Sequence, residues 1–332
     1  MTFFWIIFFL LLGLGVLVKG ADIFVDGSAG IARRLRVSDF FIGITLVAMG
    51  TSLPEFIVSL FAGFSNSSQL AVGNIIGSNI ANIALILGLC GLIKAVRIQP
   101  DTIIKRDIPF IILSGFVLFV LGFDQFFQNN HVTFNRLNLG DGLILLAFFT
   151  IFLFYVVGNL KSGQALAAEM EKKEKFYGRE GTFQLWAKIV LGLLAVIGGG
   201  KLVVDNATAL AGLLGVSQGA IGLTIVAIGT SLPEAVISIV AIMKKKQEIA
   251  VGNIIGSNTL NIFFILGFVS TLTPLDLSID MMTDIAILIA ISLFLFFAAH
   301  FRKELGKYAG LTLLASYSCY ILFVALRETA LL

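Results

Sequence analysis

The chain has 332 residues, of which 58% are hydrophobic and only 13% charged. Soluble domains carry about a quarter charged residues, so this composition excludes a soluble globular fold and points to a polytopic membrane protein. A net charge of +3 is too small to suggest a nucleic-acid partner. Cys90 and Cys319, far apart in apolar runs, indicate neither a disulfide framework nor a CxxC metal site, and His131 and His300, both near segment ends, exclude a histidine-based zinc site.

Ten apolar spans are predicted, near 2–30, 39–63, 70–92, 108–123, 139–160, 185–211, 218–243, 248–272, 280–299 and 306–328. The first lacks the basic n-region and A-x-A site of a signal peptide. Residues 20–43 also align with 199–222 at an offset of 179 (Asp26 with Asp205, Val37-Ser38 with Val216-Ser217), so the first span is expected to be retained as the counterpart of an internal one. Residues 161–184 (KSGQALAAEMEKKEKFYGREGTFQ) form the one conspicuous hydrophilic stretch; its alternating charges predict a solvated linker between repeats 1–160 and 185–332.

Numbered from the N-terminus, the odd connections hold 19 of the 23 Lys and Arg residues. The even connections and termini hold 2, Arg136 and Arg327, while Lys19 and Lys201 lie within spans. The odd connections, the 161–184 linker included, are therefore expected to be cytoplasmic and both termini outside, as in a multi-pass protein of the cell membrane. Five spans per half would insert the second half upside down relative to the first, giving an inverted-topology repeat.

The repeat is explicit in sequence. Residues 43–60 read GITLVAMGTSLPEFIVSL and 222–239 read GLTIVAIGTSLPEAVISI, followed by AVGNIIGSNIANI at 71–83 and AVGNIIGSNTLNI at 250–262; 26 of the 46 positions in 43–88 match 222–267 identically. Each copy places an acid, Glu55 or Glu234, inside an apolar run. A central carboxylate costs about 2.5–3.5 kcal/mol even on the lenient insertion scale, so the default reading is a cation site. Pro54 and Pro233 lack an N–H and clash with the carbonyl four residues back, at Gly50 and Gly229, which predicts a kink or local unwinding. Freed carbonyls, the hydroxyls of Thr51, Ser52, Thr230 and Ser231, and a carboxylate are hard oxygen donors suited to calcium or sodium. Thr51, Glu55 and Ser59 are four apart and are expected to share one helical face. In the second phrase, Gly73 and Gly77 predict close helix approach, and Ser78 with Asn82, or Ser257 with Asn261, could offer neutral oxygens. Asn74, Asn79, Asn253 and Asn258 could be ligands or amides that link helices, and the second role is expected.

Two G-T-S-L-P-E motifs and two G-N-x-x-G-S-N-x-x-N motifs in two five-span halves resemble the calcium/cation antiporter superfamily, within it the prokaryotic sodium/calcium exchanger branch. The likeness covers essentially the whole chain. It implies an all-α polytopic membrane protein with ten transmembrane helices as two inverted five-helix repeats and broken helices at the ion site. It further implies that Glu55 and Glu234 are shared calcium carboxylates, with Thr51, Ser52, Ser78, Thr230, Ser231, Ser257 and the carbonyls of Ala48 and Ala227 completing calcium and sodium sites. Asn82 and Asn261 fall at the remaining polar positions. Many sodium-coupled members carry aspartate at one of these two; here both are asparagine.

The expected function is a secondary antiporter exchanging Ca2+ for Na+ by alternating access, with those ions and membrane lipid as partners, no cofactor, and both half-sites in one chain so that a monomer could suffice. The alternative is a Ca2+/H+ antiporter using the same two glutamates. No G-x-S-x-G, H-E-x-x-H or P-loop signature supports an enzyme.

Overall fold

The computed structural model describes residues 3–65, 67–98, 103–123, 135–158, 181–213 and 227–330. The hydrophilic stretch 161–180 and the run 214–226, which holds the start of the second repeated phrase, lie outside the described residues. In chain order the helices are α1 (Phe3–Leu35), α2 (Asp39–Thr51), α3 (Leu53–Phe64), α4 (Ser68–Ile93), α5 (103–122), α6 (Leu139–Gly158), α7 (Thr182–Leu213), α8 (Ala227–Thr230), α9 (Leu232–Met243), α10 (Gln247–Leu272), α11 (Ile279–Arg302) and α12 (Lys307–Ala330). Among the described residues, seven helices are long and apolar enough to cross a membrane, or eight if α2 and α3, bent by 44° at their break, form one span.

Among the described residues, four short strands accompany the helices: β1 (Val96–Arg97), β2 (Asn135–Leu137), β3 (Leu275–Leu277) and β4 (Glu304–Leu305). β1 pairs antiparallel with β4 and β2 with β3. Each ribbon joins two connections of the same parity in the predicted span count. Two or three residues per strand carry too little pattern to be read from sequence.

The chain divides into two compact units, each drawing on both halves of the sequence: residues 1–51, 159–253 and 317–332 in one, 52–158 and 254–316 in the other. In the first unit, α1 and α7 lie antiparallel along a seam of glycines. A Cβ at Gly13 would come within 3.1 Å of the Gly199 carbonyl, and one at Gly20 within 2.9 Å of the Gly192 carbonyl. Gly13 and Gly192 are counterparts at the 179 offset, and so are Gly20 and Gly199. The contact therefore maps onto itself when the halves are exchanged. Small residues let the backbones approach where lipid offers no hydrophobic drive to association.

α1 ends at a left-handed Arg36 (φ 55°), with Val37 N–H donating to Ala32 O, and α9 ends in the same way at Lys245 (φ 61°), with Lys246 N–H donating to Ala241 O. These bonds satisfy carbonyls that the last turn leaves open. Lys244 then reaches back to α1, pairing with Asp22 and Asp26 at 2.6 Å each, while Lys246 pairs with Asp39 at 3.0 Å. Burial alone would lower the Lys244 pKa; its bonds to the two aspartates outweigh that and raise it.

In the second unit, the C-terminal part of α10 packs on α6 and α4 packs on α12, again at glycines: a Cβ at Gly142 would sit 2.7 Å from the Gly267 carbonyl, and one at Gly310 would sit 2.7 Å from the Gly88 carbonyl. Gly88 and Gly267 are also counterparts at 179. Phe264 stacks on Phe56 at 5.8 Å and lies 5.1 Å from Phe149, and Phe263 stacks on Phe148 at 5.4 Å, so aromatic area fills the space around α10. Of the apolar windows, those of α4 and α10 are 78% and 94% buried against 17–39% for the other five, so the two helices bearing the G-N-x-x-G-S-N phrases are the interior ones.

The seam yields a direct test. At Gly199 an added methyl would meet the Leu17 backbone N at 2.6 Å, whereas at Gly198 nothing lies within 4 Å. Gly199→Ala is expected to destabilise the protein by about 1–3 kcal/mol through overpacking, and Gly198→Ala to leave it unchanged or slightly stabilised; thermal unfolding in detergent separates the two.

Candidate cation site

The first G-T-S-L-P-E copy is broken where proline predicts. α2 stops at Thr51, Ser52 stands between the helices at φ −82°, ψ 7°, and α3 restarts at Leu53 with Pro54 in its first turn. The second copy has the same geometry, with Ser231 at φ −85°, ψ 4° and Pro233 opening α9. Proline is tolerated there because its missing N–H falls among the unbonded donors of a first turn. The break also places each glutamate at a helix N-terminus, where the free N–H groups favour negative charge. Because the helix is interrupted at Ser52, Thr51 and Glu55 do not share one continuous helical face; Thr51 closes α2 and Glu55 begins α3.

Glu55 and Glu234 are both fully buried. In the second unit, the Ser78 hydroxyl lies 3.5 Å from Glu55 Oε1. Asn74 on α4 donates from Nδ2 to Ser59 Oγ at 3.0 Å and to the Glu55 carbonyl at 3.4 Å, and Ser59 donates to the Ala71 carbonyl at 3.2 Å. This amide ties α4 to the turn that carries the acid.

In the first unit, Asn253 repeats the tie, donating to Ser238 Oγ at 3.0 Å and to the Glu234 carbonyl at 3.5 Å. Its Oδ1 lies 3.0 Å from the Thr51 hydroxyl, which also lies 3.3 Å from the Ala48 carbonyl. Asn253 thus connects the broken end of the first copy to the acid-bearing turn of the second. A threonine hydroxyl has one hydrogen, which serves one of these two acceptors at a time.

Ser52, Ser231, Ser257, Asn82 and Asn261 are buried as well, while Thr230 is half-buried and Ala227 opens the short helix α8. The six first-copy and second-copy positions Ser52, Glu55, Ser78, Asn82, Ser257 and Asn261 fall in the second unit; Ala48, Thr51, Ala227, Thr230, Ser231 and Glu234 fall in the first. Among the described residues no group of three or more His, Cys, Asp or Glu side chains is placed to hold a metal ion. The predicted close approach at Gly77 is not seen, since nothing lies within 4 Å of the Cβ position there. Gly252 does make one, its Cβ position lying 2.6 Å from the Phe40 carbonyl.

Two features were not read from sequence. Asn82 lies in a π-helical turn, Ala81–Ile86, and Asn261 opens another, Asn261–Leu266. Such wide turns concentrate at functional sites. Asn79, fully buried, donates to the Asn258 carbonyl at 3.0 Å and accepts from Asn261 Nδ2 at 3.0 Å, joining α4 to α10. The repeated asparagines were the available signal; which amide meets which depends on packing.

The family pattern described as sodium/calcium exchanger protein matches residues 5–158 and 184–326, and the chain belongs to that family. It is 33% identical to the sodium/calcium exchanger MaX1 of Methanosarcina acetivorans over 94% of this chain and 96% of that one. It is 38% identical to the putative antiporter CaxA of Alkalimonas amylolytica over 80% of each. Its fold is similar to a solved structure of the sodium-calcium exchanger NCX_Mj, with a TM-score of 0.80 at 33% identity, covering 96% of this chain and 98% of that chain.

Asn253→Ala removes the bonds to Glu234, Ser238 and Thr51 together. Leaving such buried groups unsatisfied should cost about 2–4 kcal/mol, measurable as a lowered unfolding temperature.

Proposed function

We propose that the chain is a secondary antiporter that exchanges Ca2+ for Na+ by alternating access, with Glu55 and Glu234 as the carboxylates that take Ca2+. The observation that carries this reading is the pair of fully buried glutamates, each in the first turn after an equivalent helix break. Thr51, Ser52, Ser78, Asn82 and the Ala48 carbonyl, with Thr230, Ser231, Ser257, Asn261 and the Ala227 carbonyl, supply the neutral oxygens. Family membership and likeness to MaX1 and NCX_Mj, both sodium/calcium exchangers by name, support the choice of ions.

Ten spans in two inverted halves are part of the same proposal. The antiparallel α1–α7 seam supports it: equivalent helices that run in opposite directions about a contact that maps onto itself are what an inverted repeat produces. The ribbons β1–β4 and β2–β3 support it too, each joining connections that the Lys/Arg distribution assigns to one side.

Two ionised glutamates would be neutralised by one Ca2+, whereas three Na+ would leave a charge of +1. A 3:1 cycle then moves one net charge, worth about 2.3 kcal/mol per 100 mV. Sodium running inward would drive calcium outward, and a doubly anionic empty site would resist crossing a low-dielectric barrier. Asparagine at both 82 and 261 favours a second reading, Ca2+/H+ antiport, because it leaves no third carboxylate for sodium.

The test is uptake of radioactive calcium into proteoliposomes loaded with sodium and diluted into sodium-free buffer. Uptake driven by sodium, carrying current, and abolished in Glu55→Gln and Glu234→Gln is expected. Uptake driven only by a pH gradient would establish the second reading, and sodium-driven exchange without current at any membrane potential would overturn the 3:1 stoichiometry.

A further inference from the structure

The phrase G-N-I-I-G-S-N-x-x-N is identical in both copies at every specified position, so Asn79 corresponds to Asn258 and Asn82 to Asn261. Their hydrogen bonds do not correspond. Asn261 Nδ2 donates to Asn79 Oδ1, and Asn79 Nδ2 donates to the Asn258 carbonyl, both at 3.0 Å. The counterpart link would run from Asn82 Nδ2 to Asn258 Oδ1, and it is open. Asn258 Nδ2 turns instead to its own helix, donating to the Ile254 carbonyl at 2.7 Å. Asn258 Oδ1 is left without a partner, as are Asn261 Oδ1 and both amide atoms of Asn82, although all three residues are fully buried.

The four asparagines are the same in both copies, so the difference lies in the conformation of the two segments and in neighbours such as Ile80 and Ala84 against Thr259 and Phe263. Buried amides left unsatisfied are costly, so a state that leaves one link open is stable only if the other link or a ligand compensates. The donor pattern also fixes roles. Asn79 spends its N–H on a carbonyl, so its oxygen must accept, and the residue at 261 must present an N–H to it. Asn261 is thereby held in one orientation by its N–H, with its oxygen unpaired, while neither atom of the Asn82 amide is bonded.

We propose that Asn79 and Asn258 are alternating positioning residues: with the Asn79–Asn261 link closed, the Asn261 amide is held in one orientation while that of Asn82 is free to turn to the transported cation, and with the Asn82–Asn258 link closed the two exchange these roles. The two links belong to the two access states, since an inverted repeat reaches its opposite-facing state by exchanging the conformations of its halves. This rests on the antiport reading, though not on which ion is coupled to Ca2+.

The variants act on different states. Asn79→Ala removes the acceptor of the link that is closed here. Asn258→Ala keeps the backbone carbonyl used in that link and removes only the acceptor of the open one. Destabilising one state shifts the population to the other, weakening apparent affinity at one face and tightening it at the other. In oriented proteoliposomes, the half-saturating Ca2+ concentration is measured at each face under the sodium or pH gradient that drives wild-type exchange. Asn79→Ala is expected to change the ratio between faces by about threefold or more, Asn258→Ala to change it in the opposite direction, and the double variant to return it toward wild type. If both variants shift the ratio in the same direction, weaken both faces alike, or leave both unchanged, the asparagines are static ties and the inference falls. Wild-type protein that moves no Ca2+ under either gradient would overturn the antiport reading instead. If an alanine variant fails to fold, Asn79→Ser and Asn258→Ser must still show shifts of opposite sign, at reduced size.

Discussion

Placing a carboxyl group in an apolar span is the constraint around which this fold is arranged. A carboxylate cannot be left among hydrocarbon side chains, so each acid sits where the backbone itself is polar, in the first turn after a helix break. A break inside a membrane span needs partners for the backbone it exposes. Those partners come from interior helices: Asn74 on α4 bonds the Glu55 carbonyl and Asn253 on α10 bonds that of Glu234. Helices that supply amides in this way must be shielded from lipid, and α4 and α10 have the most buried apolar windows of the seven long helices.

The amides do two kinds of work. Asn74 and Asn253 have equivalent partners in the two copies, which suits a fixed support. Asn79, Asn82, Asn258 and Asn261 have the same residue identities and unequal partners. A hydrogen-bonded set that is identical in both copies holds a shape, while one that is satisfied on one side only stores a choice between shapes.

Much of this was legible in the sequence because membranes impose strong rules. Span length, the acids within spans and the Pro54 and Pro233 breaks follow from lipid offering no hydrogen bonds, and each has a residue-level signature. The break also limited the reading: helical periodicity put Thr51 and Glu55 on one face, yet periodicity is lost across Ser52, and Thr51 turns to Asn253, 202 positions away. Likewise the motif glycines suggested close packing, which Gly252 makes and Gly77 does not, whereas the α1–α7 seam runs through Gly13, Gly20, Gly192 and Gly199, which no motif flags. The ribbons and π-helical turns were invisible for a simpler reason, as two to six residues carry no period.

The α1–α7 seam has a consequence for how the chain could have arisen. A contact in which one residue meets another, and their counterparts meet in reverse, is the isologous contact of a two-fold homodimer, here formed within a single polypeptide. Each half-length sequence therefore carries, in its first helix, a surface complementary to an oppositely directed copy of itself. The covalent join adds no new recognition at this seam; it fixes the stoichiometry and frees the halves to diverge. Asp22 and Asp26 mark that divergence, since they pair with Lys244, while their counterparts Lys201 and Asp205 pair with each other at 3.0 Å.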